Sequence, residues 1–223
     1  MVKPRDEFDQ DFGLSGLTQK FRPSAEIRSE ADALDLVEGM TDRFESVAYA
    51  HQLLEDVQRL VGSALPDEVI HTLWLAATRA YFDPAAHGLD SRTWLRRIAD
   101  VCVARIRRGD PSFTPAAAGP DPDQALTQAV LEEIRGCAPA LTEAAVTSAY
   151  ADPLPDVVSA LERALPEVGA DLGFRLFLRA MQAYFVPISE TRHARFLLLG
   201  ERLGYHEFVV DDGCLNVWDD LVD

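Results

Sequence analysis

Residues 65–110 read LPDEVIHTLWLAATRAYFDPAAHGLDSRTWLRRIADVCVARIRRGD, and this stretch decides the fold. It opens with a helix over 67–82. Pro66 sits at its start, Asp67 and Glu68 suit the positive end of its dipole, and Pro84 stops it. Val69, Ile70, Leu73, Trp74, Ala77 and Ala80 form one apolar stripe. A short loop over 83–90 leads to a second helix. There Leu95, Ile98, Ala99, Cys102 and Ile106 recur at spacings of three and four. Asp90 or Ser91 can cap its start, and Gly109 can follow its last turn. The short loop makes the two helices neighbours, with Trp74 and Leu95 expected between them. From 91 to 109 there are six arginines and one acid, a local net charge of +5 in a chain of net charge −16.

This helix pair resembles the second conserved region of extracytoplasmic-function sigma factors, the small bacterial transcription initiation subunits. The resemblance rests on Asp67-Glu68-Val69-Ile70 and the run Trp74-Leu75-Ala76-Ala77-Thr78-Arg79-Ala80. It continues through Phe82-Asp83-Pro84 and Arg92-Thr93-Trp94-Leu95-Arg96-Arg97-Ile98-Ala99 to Arg107-Arg108. With the helix before them, these elements make up about a quarter of the chain. The resemblance implies RNA polymerase core and promoter DNA as partners. Arg92, Arg96, Arg97, Arg105, Arg107 and Arg108 would meet DNA, and Trp94 would support them. Three positions depart from the family pattern. His71 and Thr72 stand where the family has Gln-Glu facing the polymerase clamp, and Val101 stands where it has Asn. The step from there to the arginines is one residue short.

Outward from this stretch, the expected class is mainly α: a sigma-like helical bundle, then a second helical domain with a small C-terminal β-hairpin. Residues 1–32 are polar, acidic and rich in turn formers, and read as a flexible acidic tail. Phe8, Phe12, Leu14, Leu17 and Phe21 are scattered through it, where a partner could order them. The sigma-like domain spans 33–110. It includes a short helix over 33–40 and a longer one over 44–61, with His51 at the edge of the core. The Pro/Ala/Gly-rich segment 111–122, PSFTPAAAGPDP, reads as a linker.

The second domain spans 123–223. Helices are expected over 123–136, 142–150, 157–165, 172–185 and 189–203. Under the resemblance, 173–184 would be a promoter-reading helix. It offers only Arg175 and Arg179 among Phe174, Leu176, Phe177 and Leu178, a composition suited to burial. An internal echo links Leu73-Trp74-Leu75…Ala80-Tyr81-Phe82 with Leu176-Phe177-Leu178…Ala183-Tyr184-Phe185, each followed two residues later by proline. In the tail, Phe208-Val209-Val210, an Asp-Gly turn and Leu215-Asn216-Val217-Trp218 suggest a hairpin. From 201 to 223 there are seven acids and one arginine. Trp218, beside Asp219 and Asp220, could dock on a basic partner.

Apolar residues make up 48% of the chain and charged residues 26%, as in a soluble globular protein. No apolar run approaches the length of a membrane span. The opening residues lack an apolar signal core, and three scattered cysteines fit reduced thiols, so a cytoplasmic protein is expected. There is no glycine-rich phosphate loop, no paired metal-ligand spacing among the five histidines and no isolated acid pair. Neither enzyme activity nor a cofactor is expected. Arg192, His193 and Arg195 make a small basic spot. Two readings follow. One is a divergent sigma-like transcription regulator. The other is an acidic helical protein-binding module (an immunity protein, an adaptor or a nucleic-acid mimic) that masks a basic partner.

Overall fold

The computed structural model of the chain describes residues 8–43, 47–116, 123–149 and 152–221. Its centre is the helix pair of residues 65–110. The first is α4 (Asp67–Thr78) and the second α5 (Ser91–Gly109). The first ends where Arg79 and Ala80 turn into the left-handed region, at φ 51° and 54°. A 3-10 turn, Pro84–His87, follows. The Asp90 carboxylate caps α5 by accepting from the Thr93 amide at 2.7 Å. Asp67 reaches across and accepts the Ser91 and Arg92 amides at 3.1 and 3.0 Å, tying the start of one helix to the start of the other. Trp74 and Leu95 are buried as expected. The Trp74 ring lies 5.5 Å from Trp94, and its indole N–H donates to the Phe82 carbonyl at 2.8 Å.

Two earlier helices, α2 (Glu30–Asp42) and α3 (Ala48–Gly62), pack along α5. The expected helix over 44–61 is thus found from Ala48, and Phe44 lies outside the described residues. His51 sits at the surface, with its ring 5.2 Å from that of the half-buried Phe113.

Residues 8–21 do not form the expected tail. A short helix, α1 (Gly13–Thr18), inserts against α3 and α4. Phe12, Leu14, Leu17 and Phe21 are buried. The partner that orders these apolar residues is the chain itself. Asp56 and Arg175 supply the polar contacts that let this backbone enter the core. The Leu14 amide donates to Asp56 at 2.8 Å, and Arg175 donates to the Phe12 carbonyl at 3.0 Å. Gly13 has φ +59°, and a Cβ there would overlap the Asp56 carboxylate.

Of the segment 111–122, residues 111–112 form an exposed turn capped by Asp110, Phe113 packs half-buried against the core, and 117–122 lie outside the described residues. Beyond it, α6 (Gln124–Thr147) runs unbroken through Pro139, where two helices were expected. Similarly, α7 (Val157–Ala183) joins two expected helices across a kink at Gly169, φ 86° and ψ 164°, a conformation reserved for glycine. From there to its end α7 is almost wholly buried. It packs on α6, α4 and α3, and one cluster of buried side chains runs from Leu14 to Leu215. The two echoing stretches meet: Arg79 donates to the Ala183 carbonyl and lies 4.4 Å over the Phe185 ring.

The chain ends with β1 (Pro187–Ser189), α8 (Glu190–Arg202), α9 (Glu207–Val210) and β2 (Asn216–Trp218). The expected hairpin is not formed. The strand at 216–218 pairs parallel with 187–189, Ile188 opposite Val217, and 207–210 is a helical turn. The turn residues explain this. Asp211 accepts from the amides of Gly213, Cys214 and Leu215 at 2.8–3.1 Å, so the Asp-Gly pair closes a local loop. Val209 and Val210 are buried. No described helix is long and apolar enough to cross a membrane.

Candidate interaction site

The seven residues expected at DNA sit on α5, and most are engaged within the chain. Trp94 is fully buried in the aromatic cluster. Arg92 turns back to the end of α3. It donates to the carbonyls of Leu60, Val61 and Ser63 at 3.1, 2.6 and 3.2 Å, and also to that of Leu65. It thereby satisfies carbonyls that the helix end leaves open. Arg105 pairs with Asp42 at 3.0 Å and donates to the Thr41 carbonyl. Arg108 pairs with the same carboxylate. Arg97 lies 3.6 Å from Glu30, and Arg107 donates to the Phe113 carbonyl at 3.1 Å. Arg96 is exposed. Of the seven, Arg96, Arg97, Arg107 and Arg108 keep exposed surface and share the outer edge of α5. Of the departures from the family pattern, His71 binds Asp83 at 2.8 Å in the following loop. Thr72 donates to its own helix, and Val101 is half-buried against the core.

The sequence did not foretell the strongest polar constellation, which is buried. The Arg175 guanidinium makes two hydrogen bonds to Asp56, at 2.8 and 2.9 Å, a bidentate pair with no exposed side-chain surface. Asp171 accepts from Arg175 at 3.2 Å and also binds the Tyr205 hydroxyl. Burial opposes the charge of Arg175, but Asp171 and Asp56 outweigh it and hold its pKa well above the usual value. No substrate atom can reach this group. Its work is to bind α1, α3, α7 and the segment after α8 together. The one signal in the sequence is an arginine in the middle of an apolar helix.

The basic spot on α8 is also neutralised. Arg195 and Arg192 lie 2.8 and 3.6 Å from Glu133, and His193 lies 3.0 Å from Asp211. Among the described residues no group of three His, Cys, Asp or Glu side chains could hold a metal.

The C-terminal face is different. Of the six large apolar side chains left exposed among the described residues, five lie between 185 and 221: Phe185, Leu198, Phe208, Trp218 and Leu221. The sixth is Val146. Along the chain, Leu198, Phe208, Trp218 and Leu221 are interspersed with the exposed acids Glu201, Glu207, Asp212, Asp219 and Asp220, while the Phe185 ring lies under Arg79. Trp218 is 52% exposed, and its indole N–H donates to Asn216 at 2.7 Å, which aims the ring. Apolar surface rimmed by like charge is a feature of protein-binding faces. Comparisons with protein-family models, with curated proteins and with solved structures find no match.

Proposed function

We propose that this chain is an acidic helical protein-binding module that engages a basic partner through its C-terminal face. The observation that carries this is that five large apolar side chains between 185 and 221 are left exposed, three of them (Phe208, Trp218 and Leu221) within the segment 201–223, which has seven acids and one arginine. Isolated exposed apolar residues are ordinary; several interspersed with acids favour a partner with complementary charge. The net charge of −16 supports it by drawing a basic protein in and repelling nucleic acid. The engagement of Arg92 and Arg105 inside the chain supports it too, because neither can reach a phosphate without releasing a backbone carbonyl.

The second reading, a sigma-like regulator acting with RNA polymerase at promoter DNA, draws on the outer edge of α5. Arg96, Arg97, Arg107 and Arg108 are exposed there. An electrophoretic shift series at rising salt, with and without polymerase core, separates the two. The protein-binding reading expects no promoter shift in either form. A salt-sensitive shift with polymerase, lost in the Arg96→Ala/Arg97→Ala/Arg107→Ala/Arg108→Ala variant, would establish the transcription reading instead.

A further inference from the structure

The outer side of α8 carries an apolar stripe that the core uses only in part, since Leu197 is half-buried against it and Leu198 is left exposed. Phe196, Leu199 and Gly200 face inward and are buried. Ala194, Leu197, Leu198 and Glu201 follow one another at helical spacing on the outside, and Leu198 is 59% exposed. This stripe forms one wall of an open groove of about 540 Å³, closed on the other side by Glu207 and Val210 of α9. Tyr205 lies at its end.

The groove is preformed. A Cβ at Gly200 would overlap Val210, so α9 is seated directly on the backbone of α8. Tyr205, in the connection, donates to the Asp171 carbonyl at 3.1 Å and so ties that connection to α7. Little has to be ordered when a ligand arrives.

We propose that this groove seats an amphipathic helix of the basic partner, with apolar residues on the Leu197–Leu198 floor and Lys or Arg side chains at Glu201 and Glu207. This inference rests on the protein-binding reading above. The charge of the rim selects cations, since the groove holds two carboxylates and no basic side chain. Its length suits a helix: the seven-residue step from Ala194 to Glu201 spans about 10 Å, roughly two turns. Its openness disfavours a small molecule, which would leave much of its surface in water where small-ligand sites bury about 70–90%. Helix-in-groove recognition uses anchors at this spacing.

The test is fluorescence anisotropy on the full chain with three labelled 16-residue helical peptides. One carries leucines at helical spacing flanked by lysines. The second keeps the lysines and replaces the leucines by alanine. The third keeps the leucines and replaces the lysines by glutamate. The expected result is saturable binding of the first peptide alone, weakened roughly tenfold or more by Leu198→Glu and by Glu201→Lys/Glu207→Lys. All three substituted side chains are exposed, so far-UV circular dichroism should be unchanged. Asp219→Lys/Asp220→Lys, outside the groove, should bind almost as wild type. No binding of the first peptide, or wild-type binding by both groove variants, would overturn the groove. Loss confined to the Asp219/Asp220 variant would overturn the groove and keep the basic-partner reading. Equal binding of the glutamate peptide would overturn that reading.

Discussion

Arg175 shows how one residue can organise several elements. It holds Asp56 of α3 and the Phe12 carbonyl before α1 out of water, and Asp171 of its own helix at the edge of the core. Replacing one partner strands the others. Arg175→Met should therefore cost about 3–5 kcal/mol, and Asp56→Leu/Arg175→Met should be less damaging than the two single changes added together. Urea unfolding of the four proteins measures this; additive losses would mean the pair is not coupled. Asp11 makes a second prediction. Burial pushes its carboxyl up to about 6 from 3.8, against the opposing pull of Arg175 and Ser15. The folded chain thus holds this proton more tightly than the unfolded chain. The resulting stability is present below pH 4 and lost as pH rises through 6. Asp11→Asn keeps the oxygen that accepts the Phe12 amide, so its advantage over wild type should be larger at pH 8 than at pH 4. Equal urea midpoint differences at both pH values would contradict the burial. Local sequence shows little of either role: Arg175 finds Asp56 119 positions away, and Asp11, though it binds the nearby Phe12 and Ser15, is buried only by the fold around it.

At the scale of elements, α5 carries the clearest lesson. Its periodicity, caps and neighbour were legible, because each depends on residues within one or two turns. The use of its arginines was not, because it depends on where α2 and α3 end. Arg92 closes the end of α3 with a planar fork of donors. Arg92→Ala should lower stability by about 2 kcal/mol, and Arg92→Lys should recover little of it. Thermal unfolding of both variants checks this, and full recovery by lysine would show that charge alone matters there. The same logic covers the misread tail. The Asp-Gly pair at 212–213 suits a hairpin locally, but Asp211 captures the next three free amides, and β2 finds β1 across the chain. Residues 8–21 looked like a tail because their polar partners, the acceptor Asp56 and the donor Arg175, lie on α3 and α7. The groove had a readable signal: Leu197, Leu198 and Leu199 in succession cover too wide an arc of a helix for all three to face one core.

On the scale of the whole molecule, the mainly helical class follows from periodicity, while the surface follows from charge. The arginines of α5 lie largely against Glu30, Asp42 and backbone carbonyls. The acids of the C-terminal face meet water and exposed apolar side chains. The central claim is that this face takes a basic protein. It is tested most directly by retrieving the tagged full chain from its native host. Wild type and the Glu201→Lys/Glu207→Lys/Asp219→Lys/Asp220→Lys variant are compared, with captured proteins identified by mass spectrometry at low and high salt. The expected result is a basic partner at near-equal amount with wild type, released by about 0.5 M salt and absent from the variant. Capture of polymerase subunits, or of a partner that the charge reversal leaves bound, would contradict it.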